Sequence, residues 1–516
     1  VSLLSFYKEK YDAVVVGGAL SGLACALTLA SKGKDVLVLE RHNLPGGIAT
    51  SFVRGGMEME ATLHEMMSIG PEEKPLKIRA FFDEMGVKIH WLRVPEAYHL
   101  SVPSEKIEIT LHAGFQTMAR EIDAEYPGTY DKVLRLMELC QTVYDSVNVL
   151  SVHPMSKPAM LAKHAAFVKT CGYSAKQVLD TFGLPREVFD ILSAYWIYVG
   201  APMDDLPFTI YAVLMADYFG GGSYVCRDFS YEMAARMAVR CEELGVQVEY
   251  LQEVEKILVD GGHVRGVRTK RGDVIHADYV ACSAYPNRCY TSMIEPLSAV
   301  PKDALRSVSA RKLSVTCFSV AMLLDRSPDE LGIREYSYFN SFTDMDTSRQ
   351  WENLKTLGPY GYLTTICLNR ANPGCTPPGM TSLSITTLPL PDGYLHIAED
   401  EYLERKRAIA REMIDQMSVY FGVRLLDHIV EIEIETPVTI AHYAGAWNGG
   451  IYGYRHSMDD HIVARLQMSE EENYIPGLSF CGAHAISGNG MSPVITNGRK
   501  AAKTLLDQMA KEAANA

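Results

Sequence analysis

The residues whose types and spacing could do chemistry begin at a glycine turn. The run Asp12-Ala13-Val14-Val15-Val16-Gly17-Gly18-Ala19-Leu20-Ser21-Gly22-Leu23 predicts a buried strand over Ala13 to Val16, a tight turn and the start of a helix. A second apolar run, Val36 to Leu39, ends in an acid, Glu40, eighteen residues past Gly22. Strand, glycine turn, helix, strand and acid at that spacing form a βαβ unit suited to a dinucleotide. Gly17 permits the turn, and Gly22 lets helix and strand approach. The helix N-terminus, reached through Gly18, Ala19 and Ser21, offers free N–H groups and a positive dipole end to a pyrophosphate. Glu40 suits a ribose hydroxyl. One position departs from the G-x-G-x-x-G pattern: Ala19 stands where the middle glycine belongs, and its methyl is expected to push a pyrophosphate slightly outward. A glycine turn of an α/β protein that binds nothing would share some of these residues; the flanking strand and helix together with Glu40 argue for a nucleotide.

The whole chain bounds what such a unit can serve. Its 516 residues predict two or three domains with ample core. A hydrophobic content of 47% and a charged content of 22% are those of an ordinary globular protein. With a net charge of −14 and no clustered Lys and Arg, nucleic acid is not an expected partner. The 11 cysteines are scattered without a C-x-x-C pair. This predicts reduced thiols in a cytoplasmic protein and no zinc or disulfide framework. Residues 1–10 carry Lys8, Glu9 and Lys10 and do not read as a signal peptide. No apolar run reaches the roughly 18 residues that span a bilayer.

The elements that must position the turn follow in order. A helix is predicted over Lys74 to Gly86, a short strand around Ile89 to Val94, and a hairpin over Tyr98 to Ile109. Apolar residues recur at helical spacing from Met118 to Leu150 (Val133, Met137, Cys140, Tyr144, Val147). The stretch to Phe219 is rich in Met, Phe and Tyr, with Tyr195 and Tyr198 as candidates to line an apolar tunnel. After Gly220-Gly221-Gly222 come a helix over Phe229 to Glu243 and strands over Val246 to Tyr250 and Val254 to Val259. A hairpin turn at Asp260-Gly261-Gly262-His263 leads into strands over Val264 to Lys270 and Val274 to Ala281. Further strands are predicted over Ser314 to Leu324, Tyr362 to Cys367 and Ser382 to Leu388. A charged helix from Glu399 to Tyr420 reads as a solvated face. Leu478 to Cys481 has the length and apolarity of one more strand, and Pro493 suits the first turn of a C-terminal helix.

Past Glu40 and Arg41, the run Pro45-Gly46-Gly47-Ile48-Ala49-Thr50-Ser51-Phe52, then Arg54-Gly55-Gly56 and Met59-Glu60-Ala61-Thr62-Leu63-His64, resembles the second flavin signature of the phytoene-desaturase, carotenoid-isomerase and retinol-saturase group within the amine-oxidase superfamily. Ile48 stands where an arginine is frequent, and Thr62 replaces a glycine. Gly477-Leu478-Ser479-Phe480-Cys481-Gly482-Ala483-His484, then Gly488-Asn489-Gly490-Met491-Ser492-Pro493, resembles that group's last flavin motif. The resemblance spans essentially the whole chain and is more specific for FAD than for substrate.

It implies an α/β fold: a Rossmann-type, glutathione-reductase-like FAD domain from residues 1–70, 220–290 and 475–516, interleaved with an α+β substrate domain from 71–219 and 291–474, whose helical cap covers about 118–219. The implied cofactor contacts are Gly17, Gly18, Ala19, Ser21, Gly22, Glu40, Arg41, Gly46, Gly47 and Thr50, the backbone of Val254 beside the adenine, and Gly482, Ala483, Met491, Ser492 and Val494 near the isoalloxazine. Small, polar residues through Gly490 are expected to form a loop beside the flavin, with Gly482 allowing close approach. His64, His484 and Asn489 are candidate acid–base or hydrogen-bonding residues, against the plainer reading of satisfied structural side chains. Tyr452 joins Tyr195 and Tyr198 as a tunnel candidate.

The chemistry implied is hydride exchange between flavin and a carbon–carbon bond of a lipophilic substrate, as desaturase, saturase or isomerase. No second dinucleotide unit is present in the sequence, so the electron partner is external: oxygen, a quinone or a diffusible nicotinamide. A cap with a membrane-facing surface would allow peripheral membrane contact. A flavin amine oxidase and a flavin-containing lipid-binding module without turnover are the competing readings. Oligomeric state is left open.

Overall fold

A computed structural model describes residues 6–62, 64–151, 155–462, 465, 474–485, 488 and 490–515. In the strand Tyr11–Val16, Ala13 to Val16 are apolar and buried on both faces, as a central parallel strand must be, with only Asp12 exposed. It pairs in parallel with Val36–Leu39 on one side and with Val274–Cys282 on the other. Gln247–Glu249 extends the sheet beyond Val36–Leu39, and Leu478–Phe480 pairs with Val280 to Cys282. The C-terminal segment, more than 430 residues along the chain from the glycine turn, thus supplies a strand of the same sheet. The lower half of Val274–Cys282 turns its edge to His263–Thr269, which pairs back on Val254–Asp260 across the Asp260–His263 turn. One strand therefore links the parallel layer to an antiparallel ribbon; with Ile294–Glu295 pairing on the outer edge of Val254–Asp260, the sheet has eight strands.

Helix Leu20–Ala30 is almost wholly buried because it is covered twice. The sheet lies on one side, and helices Tyr231–Glu243 and Met491–Asn515 lie on the others. Small side chains make this sandwich close enough to work. A Cβ on Gly22 would stand 2.0 Å from the Gly17 carbonyl oxygen, and one on Gly498 would stand 2.1 Å from the Ser21 carbonyl oxygen.

The second sheet has seven strands, ordered Ile429–Glu435, Phe318–Leu324, Thr381–Thr387, Tyr362–Cys367, Ser337–Ser341, Tyr98–Val102 and Ile107–Leu111. All its pairings are antiparallel except that of Ser337–Ser341 with Tyr98–Val102. A continuous apolar core joins this sheet to a helical layer in which Tyr130–Leu150 packs along Phe208–Gly221. The periodic run from Met118 to Leu150 is two helices, Phe115–Glu125 and Tyr130–Leu150. Pro127-Gly128 breaks it, and the Asp123 carboxylate accepts the backbone N–H groups of Gly128, Thr129 and Tyr130 at the break. No helix among the described residues is long and apolar enough to cross a membrane. Every cysteine is a free thiol.

Candidate functional site

One cavity of about 970 Å³ runs between the two sheets. Its first end is the glycine turn. Gly17 takes a φ of +100°, and Ser283 closes over it, its N–H and its hydroxyl both donating to the Val16 carbonyl at 2.9 Å. The helix that follows has Ala19 at its N-cap, with no side-chain cap and no acid in its first turn. Its leading N–H groups are therefore left without a side-chain acceptor.

The Glu40 carboxylate anchors the corner by accepting Gly18 N–H at 2.6 Å and His42 N–H at 2.7 Å. Each oxygen keeps lone-pair capacity for a further donor. The loop at Gly46 and Gly47 is strapped onto the turn: Gly46 N–H donates to the Gly18 carbonyl at 2.9 Å. This contact accounts for Ala19. A Cβ on Gly47 would come within 3.0 Å of the Ala19 Cβ, so the methyl occupies room that Gly47 leaves.

Val254 lines the cavity by the Glu40 corner, where Gln252 N–H donates to the Glu40 carbonyl at 2.9 Å. Toward the other end the wall is formed by Thr50, Gly482, Ala483 and the head of the C-terminal helix at Met491, Ser492 and Val494. Ser492 Oγ donates to the Met67 carbonyl at 2.6 Å, and Asn497 Nδ2 donates to the carbonyls of Gly482 and Gly488. These bonds tie the last motif to the second signature. Beyond lies a chamber with Tyr198, Tyr218, Tyr452, Leu388, Ile440 and Ile451 among its walls.

Most of the expected site residues thus meet at one cavity; four do not line it, and a fifth, Arg41, lines it with its guanidinium engaged elsewhere. Gly18 and Gly22 lie behind its wall, where they serve packing and the Glu40 contact. Arg41 borders the cavity, but its guanidinium is committed to the carbonyls of His442 and Tyr443 at 2.9 and 2.8 Å, closing the end of helix Pro437–Ala444 over the mouth. Tyr195 is core: it is 1% exposed, stacks on Tyr198 and donates to the Ala97 carbonyl. His484 is 1% exposed, packed among Tyr285, Tyr454 and Phe480 and off the cavity.

His484 also corrects one further expectation: it makes the loop after Cys481 partly core. A Cβ on Gly482 would lie 2.6 Å from its imidazole Cε1. Burial, with the Arg311 and Arg465 charges, holds His484 neutral with a pKa of about 3. His64 does border the cavity, but burial lowers its pKa to about 4, so it is a neutral imidazole near pH 7 and a poor proton donor. Asn489 lies outside the described residues.

Other cavity residues carried no motif. Lys77 and Lys500 reach it, and burial together with the Lys77 charge lowers Lys500 to about 8. Glu65 reaches it too, flanked in sequence by Met66 and Met67. An acid next to two methionines was the one available signal. Elsewhere, His90, Asp228 and Glu232 lie close enough together to hold a cation. Arg227 already bonds His90 and Asp228, however, and Arg236 bonds Glu232.

A five-strand parallel layer with a glycine turn at its carboxyl edge, opening into an apolar chamber, defines an oxidoreductase built on a dinucleotide cofactor. Residues 20–506 match the family described as flavin containing amine oxidoreductase, and the chain belongs to that family. It is an FAD-dependent enzyme. It is similar to a prolycopene isomerase of Daucus carota, 22% identical over 86% of this chain and 72% of that protein. It is also similar to an all-trans-retinol 13,14-reductase of Danio rerio, 23% identical over 94% of this chain and 86% of that protein. A redesigned putrescine oxidase shares the fold with a TM-score of 0.65 at 15% identity, over 96% of this chain and 99% of the other. The residues present fit FAD: an uncapped helix start follows a turn in which a side chain at Gly17 would collide with Ser283 Oγ at 2.0 Å, and the Glu40 carboxylate stands at the end of the second strand beside that turn.

Proposed function

We propose that the protein moves hydride between FAD and a carbon–carbon bond of a lipophilic polyene or isoprenoid-like substrate, as a desaturase, saturase or isomerase. The observation that carries this reading is the continuity of the cavity from the glycine turn into a chamber walled by Tyr and aliphatic side chains. An extended apolar molecule would bury most of its surface there. FAD would supply the two-electron chemistry. Gly17, Ala19 and Ser21 would hold the pyrophosphate, Glu40 the ribose, Val254 the adenine, and Gly482, Ala483, Met491, Ser492 and Val494 the isoalloxazine. Gly46, Gly47 and Thr50 would line the stretch between. The chain's own residues would align the substrate's double bond and exclude water from it. The names of the polyene-acting relatives support the substrate class. An external oxygen, quinone or nicotinamide would complete the redox balance, and the cap would allow peripheral membrane contact.

The test uses the holoenzyme, photoreduced without oxygen and mixed with all-trans polyenes or with putrescine. Polyene-dependent reoxidation of the flavin, or a changed polyene spectrum with the flavin unchanged overall, is expected. Reaction of the oxidised form with amines alone would overturn the reading.

A further inference from the structure

Glu65 is 6% exposed and borders the chamber. Its position is clamped from both sides. Met66 exchanges backbone hydrogen bonds with Tyr224 at 2.8 and 3.0 Å, and the Tyr336 hydroxyl donates to the carbonyl of His64. One carboxyl oxygen accepts the Tyr198 hydroxyl at 3.1 Å; the other has no hydrogen-bond partner among the described residues. The groups that face it are Tyr195, Tyr198, Tyr218, Tyr336 and the carboxyl of Glu96. His64, whose ring lies 6.0 Å from that of Tyr198, is neutral. No cation is among them. An anion here would be buried without a counter-charge, which is costly, so burial raises the carboxyl to about 8 and keeps its proton on at neutral pH. Structural stability gives no reason for such a group. An apolar side chain there would bury no polar group, at the cost of one acceptor for the Tyr198 hydroxyl.

We propose that the Glu65 carboxyl is the proton donor and acceptor for the substrate's double bond. The inference rests on the function proposed above. Saturating a double bond adds two electrons and two protons. One C–H bond forms with a hydride, both electrons coming from the reduced flavin that an external two-electron donor regenerates. The Glu65 O–H bond breaks and its proton forms the second C–H bond on the neighbouring carbon. The carboxylate left behind regains a proton from solvent. Desaturation runs the same bonds backward. Tyr198 is a positioning residue, since its hydroxyl fixes one carboxyl oxygen and so aims the other.

The test compares wild-type holoenzyme with Glu65→Gln, Glu65→Asp and Tyr198→Phe. In the infrared difference between wild type and Glu65→Gln at neutral pH, the carbonyl stretch of one protonated carboxylic acid should appear, over the unchanged bands of other buried acids such as Glu60 and Glu435, a readout independent of turnover. In single turnovers of photoreduced enzyme with polyene in D₂O, Glu65→Gln should be slower by about 100-fold or more. Glu65→Asp should be intermediate, and electron transfer to ferricyanide should be unchanged in both. The wild-type rate should fall as pH rises through about 8, and Tyr198→Phe should move that limb upward by removing a bond that favours the anion. If polyene reacts and Glu65→Gln turns over at the wild-type rate, or the wild-type-minus-Glu65→Gln difference spectrum shows no acid carbonyl band, the proposal is overturned while the proposed function stands. If no polyene reacts with wild type, both fall. Should Glu65→Gln fail to fold, an unmoved pH limb in Tyr198→Phe overturns the proposal by itself.

Discussion

Gly498 offers a direct test of how the C-terminal helix holds the cofactor site. It lies in helix Met491–Asn515, where that helix crosses Leu20–Ala30. A methyl placed there would lie 2.1 Å from the Ser21 carbonyl oxygen and 2.9 Å from the Ala24 Cβ, and contacts below 3.0 Å are essentially never seen. Neither neighbour is a flexible side-chain end, so the helices must part by roughly 0.9 Å. Overpacking of this kind costs about 1–3 kcal/mol. The displacement is passed to two cavity walls at once, the turn at Ser21 and the helix head at Met491, Ser492 and Val494. For Gly498→Ala we therefore expect a loss of about 2 kcal/mol in urea unfolding of the apoprotein and FAD binding weaker by about tenfold. Gly172→Ala is the control, because a Cβ there meets nothing within 4 Å. If Gly498→Ala keeps both its stability and its FAD affinity, close contact between these two helices is not what assembles the site.

Two further outcomes follow from single contacts. Arg41→Ala should leave the carbonyls at the end of helix Pro437–Ala444 unpaired, with faster limited proteolysis between 437 and 450 and faster flavin exchange. Glu60 accepts both the backbone N–H and the hydroxyl of Ser230, yet burial raises it to about 8. Its folded value lies above the ordinary 4.5, so the folded state binds the proton more tightly and stability falls as pH rises from about 4.5 toward 8. Glu60→Gln should flatten that fall, by up to about 1.4 kcal/mol per pH unit, as read from urea midpoints at pH 5, 6.5 and 8.

The chain's local pattern determined the parts of this protein that depend on backbone conformation and periodicity. Gly17, Gly22 and Glu40 declare a strand–turn–helix unit because a positive φ, a close helix–strand contact and an acid at a strand end each restrict residue type. The hairpin at Asp260–His263 and the charged helix Glu399–Phe421 were legible for the same reason. Tertiary structure decided whatever depends on which surfaces meet. Ala19 is tolerated because Gly47, far enough along the chain to be a separate loop, folds back to make room for its methyl. Arg41 is an expected cofactor contact from the family resemblance, yet its guanidinium bonds the helix end at His442 and Tyr443. His484 and His64 differ by environment alone, one sealed among aromatic rings and one at the cavity, and both are neutral because burial removes the water a charge needs. Glu65 belongs to no motif. Its protonation follows from burial and the Glu96 carboxyl, against one hydrogen bond from Tyr198, and the charge state of a buried group is a property of everything packed around it.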